Sequence, residues 1–184
     1  MGCTKKIVVV FPGRGYSCST GLLADGIVRW RELGYKVLPL DFSEVPFKQI
    51  ETFAEAFDRA EACAMKQLAG VDLSGCEDLV FFAKSLGTVA AARCAANLGL
   101  SPRMLPLTPL PETLDLTKPG DRVMGMVVGT NDRYVDWHRV RAFCAERSIP
   151  CLVCEGVGHS LADPNDKART EAIRQQVLVL CRPL

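Results

Sequence analysis

The sequence predicts an α/β protein: a three-layer sandwich whose central sheet of about six strands is mostly parallel, with helices on both faces. Three observations carry this reading. Apolar runs such as Ile7–Phe11 and Leu79–Ala83 show no polar alternation, the pattern of strands buried on both faces. Between such runs lie longer stretches with apolar residues at helical spacing. The two kinds of segment alternate along the chain, which implies crossover connections and therefore parallel pairing. A length of 184 residues suits one domain, 1–184, with a single buried core. No repeat, linker or low-complexity stretch divides it.

Taken in order, Ile7–Phe11 is the first strand, broken by Pro12-Gly13-Arg14-Gly15-Tyr16. A helix follows over about 20–33, apolar at Leu22, Leu23, Ile27 and Trp30, with Gly34 as its C-cap. Lys36–Leu40 is the second strand. The spacing of Ile50, Phe53, Ala54, Phe57 and Ala64 predicts a helix over 47–68. Leu79–Ala83 is the third strand, and an alanine-rich helix runs from directly after it to about Leu98, ended by Gly99. Ser101–Pro119 holds five of the eleven prolines and one short strand, Met104–Leu107. Val123–Val128 forms a fifth strand, a helix covers about 135–147, Cys151–Cys154 forms a sixth strand, and a last helix spans about 164–180.

Composition excludes several classes. Apolar content of 48% with 23% charge is ordinary for a globular protein. A net charge of +1 without a local Lys/Arg cluster gives no footprint for nucleic acid. No apolar run approaches the roughly 20 residues of a membrane span. Met1-Gly2-Cys3-Thr4-Lys5-Lys6-Ile7 has the charged start of a secretion signal, but the apolar stretch behind it is too short. Lys6 stands where a myristoylation pattern wants Ser or Thr. A cytoplasmic location with reduced thiols is therefore expected. The nine cysteines are an odd number, and Cys63, Cys94, Cys144 and Cys181 fall inside predicted elements as small buried hydrophobes. Cys151 and Cys154 form a C-x-x-C within a strand, where residues three apart point to opposite faces, so neither a redox pair nor a metal clamp is expected. With two histidines in the chain a zinc site is poorly supplied, and no cofactor or metal is expected.

The stretch around which the chain is organised is Phe81-Phe82-Ala83-Lys84-Ser85-Leu86-Gly87-Thr88. A serine between a buried strand and a helix sits on a sharp turn, its hydroxyl held out at the carboxyl end of the sheet. Ala83 and Gly87, two residues to either side, are small enough to let strand and helix approach closely. The pattern is G-x-S-x-G with Ala83 at its first glycine.

This elbow, the glycine loop Gly13-Arg14-Gly15 after the first strand, and an Asp and a His after later strands resemble the α/β-hydrolase superfamily. The order Ser85, Asp132, His159 is the order that family uses. The resemblance covers the chain from Ile7 to the last helix. It departs from the family in Ala83, in Pro12-Gly13 where His-Gly is usual, and in lacking the opening antiparallel strands and a cap domain. It implies a minimal, capless serine hydrolase with the first strand central and the second and third on either side of it. The connections then diverge and leave a crevice at the carboxyl ends of the strands.

The resemblance implies a role for each residue. Ser85 is the expected nucleophile, which needs a base to take its proton. His159 is the expected base, since His138 lies in a predicted helix between Trp137 and Arg139, and Asp132 is expected to hold the imidazole tautomer. The N–H groups of Leu86 and of Arg14 or Gly15 are the expected oxyanion donors. Thr108–Thr113 is too short for a lid and is expected to form one lip of a partly open pocket, with Leu110 and Tyr16 on its wall. The expected partner is a small ester, thioester or similar acyl substrate.

Each residue has a plainer alternative. Ser85 can be a helix N-cap, Asp132 can cap the helix near Val135 with Asp136 as the acid, and His159 can merely end a glycine-rich turn. Lys84 can favour anionic substrates or point into solvent. The whole chain can be a hydrolase-like scaffold that binds without turnover. Gly13-Arg14-Gly15 followed by a helix, with Asp41 after the second strand, also resembles a dinucleotide fingerprint, although its third glycine position is Cys18.

Overall fold

The computed structural model describes residues 5–184. The N-terminal tetrapeptide 1–4, weighed above as part of a targeting signal, lies outside the described residues. Twelve elements alternate in order: β1 Lys6–Phe11, α1 Gly21–Glu32, β2 Lys36–Pro39, α2 Phe53–Leu68, β3 Asp78–Lys84, α3 Leu86–Asn97, β4 Arg103–Leu107, α4 Pro111–Leu116, β5 Met126–Gly129, α5 Trp137–Glu146, β6 Cys151–Cys154 and α6 Lys167–Val179. The strands form one sheet in the order β2-β1-β3-β4-β5-β6, and every adjacent pair is parallel. β1 pairs with β3 along the whole length of β1, from Lys6 with Asp78 to Phe11 with Ala83.

Alternate residues of each strand feed two separate cores. Val8, Val10, Val80, Phe82, Leu105, Leu107 and Val127 face α1 and α6. Ile7, Val9, Phe11, Phe81 and Ala83 face α2 and α3, and Met126 and Val128 continue that second face beneath α4 and α5. The chain runs from β1 outward to β2, then back across to β3 and on to β6. The helices before and after this reversal lie on opposite faces, which opens a crevice beyond the carboxyl ends of β1 and β3.

Some boundaries differ from the sequence reading. The helix expected from residue 47 begins at Phe53, capped by the Thr52 hydroxyl accepting from Glu55 N–H at 3.2 Å. Phe47 and Ile50 do pack into the core, but from a loop. The Arg14 guanidinium donates to their main-chain carbonyls, holding the segment in turns. β5 is shorter than expected. Val123 makes an isolated bridge to Met104, and pairing proper between β4 and β5 is confined to Leu107 with Val127. The proline-rich segment contains the short helix α4, with Pro111 in its first turn, where a missing N–H costs nothing. Cys151 and Cys154 belong to cores on opposite faces of the sheet, and the eight described cysteines are all free.

Candidate active site

Ser85 has φ 54° and ψ −126°, a conformation that costs a non-glycine residue on the order of 1–3 kcal/mol and persists only where its surroundings enforce it. They do so here. Ser85 N–H donates to the Leu107 carbonyl at 2.9 Å, and the Ser85 carbonyl accepts from Thr88 N–H at 2.8 Å and the Thr88 hydroxyl at 2.6 Å. The Thr88 and Thr113 hydroxyls share a hydrogen bond at 2.5 Å, which ties the elbow to α4. A Cβ on Gly87 would lie 2.4 Å from the Phe11 carbonyl oxygen and 2.5 Å from that of Pro12. Only glycine lets α3 start against the end of β1.

Ser85 stands at the N-cap of α3, yet its hydroxyl makes no capping bond. Its Oγ lies 2.7 Å from Nε2 of His159, and Nδ1 of His159 lies 2.7 Å from Oδ2 of Asp132. A carboxylate only accepts, so Nδ1 carries the ring proton and Nε2 is left to accept from the serine. The Asp132 side chain is fully buried, and its other oxygen accepts from Tyr134 N–H at 2.9 Å. The three residues named from the sequence thus form one hydrogen-bonded chain.

The loops after β5 and β6 are laced together to make this possible. Thr130 N–H donates to Cys154, Asn131 N–H donates to Val157, and Gly156 N–H donates to the Thr130 hydroxyl. A Cβ on Gly129 would lie 2.2 Å from the Val157 carbonyl oxygen, so this glycine admits the His159 loop across the end of β5. Asp136 is elsewhere: it caps α5 and pairs with the exposed His138.

Gly13 sits directly across from the serine, where an added Cβ would be 3.1 Å from that of Ser85. The main-chain N–H groups of Arg14, Gly15 and Leu86 donate to no acceptor among the described residues. They are therefore free to meet a developing anion, Leu86 with the added field of a helix N-terminus. The same loop borders a cleft of about 570 Å³, walled by Tyr16, Phe42, Val45, Pro46 and Phe47. Asp41 also borders it, but its carboxylate is occupied by the N–H and hydroxyl of Ser43. α1 begins six residues beyond Gly15, and Cys18 is buried with its thiol on the Leu40 carbonyl. The glycines consequently do not open a helix as a dinucleotide fingerprint requires.

Two expected pocket residues lie elsewhere. Leu110 is 4% exposed and packs into the core beside α3, because α4 folds its segment back onto that helix. Lys84 neither reaches solvent nor faces the cleft: it is 2% exposed, with its ammonium on the main-chain carbonyl of His159. Two aromatic residues not singled out from the sequence stand at the site instead. Tyr134 packs edge-on against the His159 ring, and Phe53, at the start of α2, packs edge-on against Tyr134. An exposed aromatic after a strand carries no pattern in one dimension; its proximity to a histidine 25 positions later exists only in the fold.

No protein-family model matches the chain, and no curated protein sequence matches it. Solved structures do. A candidate hydrolase of the alpha/beta superfamily from Xanthomonas campestris pv. campestris is similar over 96% of this chain and 98% of its own, at 18% identity and a TM-score of 0.65. Another Xanthomonas campestris protein, described as an a/b serine hydrolase without lid, matches 97% of this chain and 82% of its own at 15% identity and a TM-score of 0.63. Est1E from Butyrivibrio proteoclasticus matches 96% and 88% at 13% identity and a TM-score of 0.60. At these identities the likeness is one of fold.

Proposed function

We propose that this chain, an α/β-hydrolase fold without a cap, is a serine hydrolase acting on an ester, thioester or similar acyl bond of a small substrate. The observation that carries the reading is the continuous hydrogen-bonded chain from Ser85 through His159 to Asp132. In this mechanism the Ser85 oxygen attacks the substrate carbonyl while Nε2 of His159 takes its proton. Asp132 keeps the proton of Nδ1 in place and stabilises the imidazolium that forms. The N–H of Leu86 and those of Arg14 or Gly15 bind the tetrahedral oxyanion, each such donor lowering the barrier by about 3 kcal/mol in comparable sites. His159 then returns the proton to the leaving group. A water activated by the same nitrogen hydrolyses the acyl-enzyme and frees Ser85.

The cleft between the Gly13–Ser17 loop and the Asp41–Gln49 loop adjoins the oxyanion donors and has mostly apolar side walls, which suits an apolar acyl or leaving group. Phe53 and Tyr134 supply a second, aromatic edge on the histidine side. A panel of esters and thioesters graded in acyl length, assayed with wild type and Ser85→Ala, tests the proposal. Turnover lost in Ser85→Ala supports it. Turnover that survives the substitution, or no turnover and no acyl-enzyme with any member, contradicts it.

A further inference from the structure

Lys84 ends β3 with its side chain turned inward. Its ammonium donates to the main-chain carbonyl of His159 at 2.7 Å and to the Thr108 hydroxyl at 3.1 Å. The Tyr16 ring covers another side, its centre 5.3 Å from Nζ. The charge facing it is that of Asp132, but no ion pair to Lys84 forms among the described residues, because Asp132 is turned to His159. An ammonium buried on neutral acceptors is costly, and an apolar side chain of the same length would fill this space at lower cost. Burial accordingly lowers the Lys84 pKa to about 8. Its Thr108 partner has φ 46°, a conformation β-branched residues rarely adopt. A selector of substrate anions would present its donors to the cleft; these donors face the histidine loop.

His159 is held at four points. Ser85 meets Nε2, Asp132 meets Nδ1 and Tyr134 packs against the ring. These three act on the imidazole; Lys84 acts on the main chain from which it hangs. Lys84 and Ser85 are also consecutive, so the residue that anchors the base is bonded to the residue the base must reach. We infer that Lys84 is a positioning residue for the reaction proposed above: it fastens the main chain of His159 to the elbow and thereby sets the spacing between the base and Ser85. The inference rests on the serine-hydrolase reading.

The test compares wild type with Lys84→Met, an unbranched side chain one atom shorter that removes every donor, and Lys84→Gln, which keeps a neutral donor. Thr108→Val, which removes the second acceptor, serves as the milder companion. Two readouts are taken: kcat and KM on the best ester of the panel, and nitrogen NMR of the imidazoles. The chain has two histidines, so His159 is assigned by its disappearance in His159→Asn. Lys84→Met is expected to lower kcat by about 10- to 100-fold, the scale of a misplaced catalytic group, with KM within about threefold. It is expected to broaden the Nδ1–H resonance of His159 while leaving His138 unchanged. Lys84→Gln should recover part of both, and Thr108→Val should move both in the same direction by less. A wild-type kcat, or a wild-type His159 spectrum, in Lys84→Met overturns the inference. An active-serine probe that labels wild type as fast as Lys84→Met overturns it and leaves the hydrolase reading intact. A wild type with neither turnover nor acyl-enzyme whose His159 spectrum still responds to Lys84→Met supports the anchor and overturns the hydrolase reading.

Discussion

The Tyr134 ring stands edge-on to the His159 imidazole with centroids 4.6 Å apart, while the N–H of the same tyrosine donates to Asp132. One residue touches both partners of the hydrogen-bonded chain, the carboxylate through its main chain and the imidazole through its side chain. Of these two contacts Tyr134→Ala removes the second, together with those the side chain makes to Phe53 and Arg133. We expect it to lower kcat about tenfold by loosening the ring, with little change in Tm because the tyrosine is 37% exposed. Tyr134→Phe should restore the rate. Ester hydrolysis by the two variants decides: equal rates for Ala and wild type would show that the ring does not orient the base.

Asp132 and Asp136 are separated by one turn of loop and by environment. Asp132→Asn can no longer fix the imidazole proton on Nδ1 and should drop kcat by about 10⁴ with the fold intact. Asp136→Ala loses the N-cap of α5, worth about 1 kcal/mol, and should keep full activity. Urea unfolding beside a rate assay separates the two, and the reverse pattern would move the acid role to Asp136.

The fold and two residues of the candidate site, Ser85 and His159, were legible for the same reason, while Asp132 rests on the Ser, Asp, His order of the family the chain resembles. A parallel strand buried on both faces leaves an apolar run in the sequence, and functional residues cluster where such runs end. Ser85 follows Leu79–Ala83 and His159 follows Gly156-Val157-Gly158, so each carried a local pattern. Phe47 and Ile50 misled because their spacing is helical while the Arg14 guanidinium holds their carbonyls in turns. Lys84 was unreadable for a deeper reason. Its main partner is the backbone carbonyl of a residue 75 positions away, and a backbone atom leaves no trace in residue identity. Leu110 is expected on a pocket wall because the resembled family places its cap after the fourth strand; α4, in a proline-rich segment with no long helical pattern, turns it into the core instead.

Gly87 tests how tightly the elbow depends on close packing. The added methyl of Gly87→Ala would overlap the carbonyls of Phe11 and Pro12, backbone atoms at the end of β1 and just beyond it. A loss of stability of about 3 kcal/mol or more is expected, read as a lower urea midpoint, together with slower acylation as Leu86 is displaced. Ala83, by contrast, is already one methyl larger than the usual glycine and fits between Phe11 and Pro106; Ala83→Gly, which loses a buried methyl and frees the unfolded backbone, should cost about 1–2 kcal/mol.

Lys84 should also mark the pH dependence of stability. Its pKa falls from the ordinary 10.5 to about 8 on folding, through burial. Below pH 8 both folded and unfolded chains carry the proton, and the fold bears the full cost of the buried charge. Between about 8 and 10.5 the unfolded chain holds a proton the folded chain has released, so this group makes stability rise with pH. The whole gain is on the order of 3 kcal/mol. Buried thiols oppose it above pH 9: Cys18, Cys94 and Cys181 are each pushed up to about 12 by desolvation, but they do so equally in Lys84→Met. The difference in unfolding free energy between wild type and Lys84→Met, measured from pH 7 to pH 10, should therefore move in favour of wild type as pH rises. A constant difference would mean that the lysine is not desolvated.

The most direct test of the account is the reaction of the protein with a fluorophosphonate, followed by intact mass and peptide mapping. One adduct per chain is expected, on the peptide that contains Ser85, formed at least 10³-fold more slowly in His159→Asn, the scale of losing the base. A wild-type protein that stays unlabelled, or that carries the adduct on another residue, would contradict it.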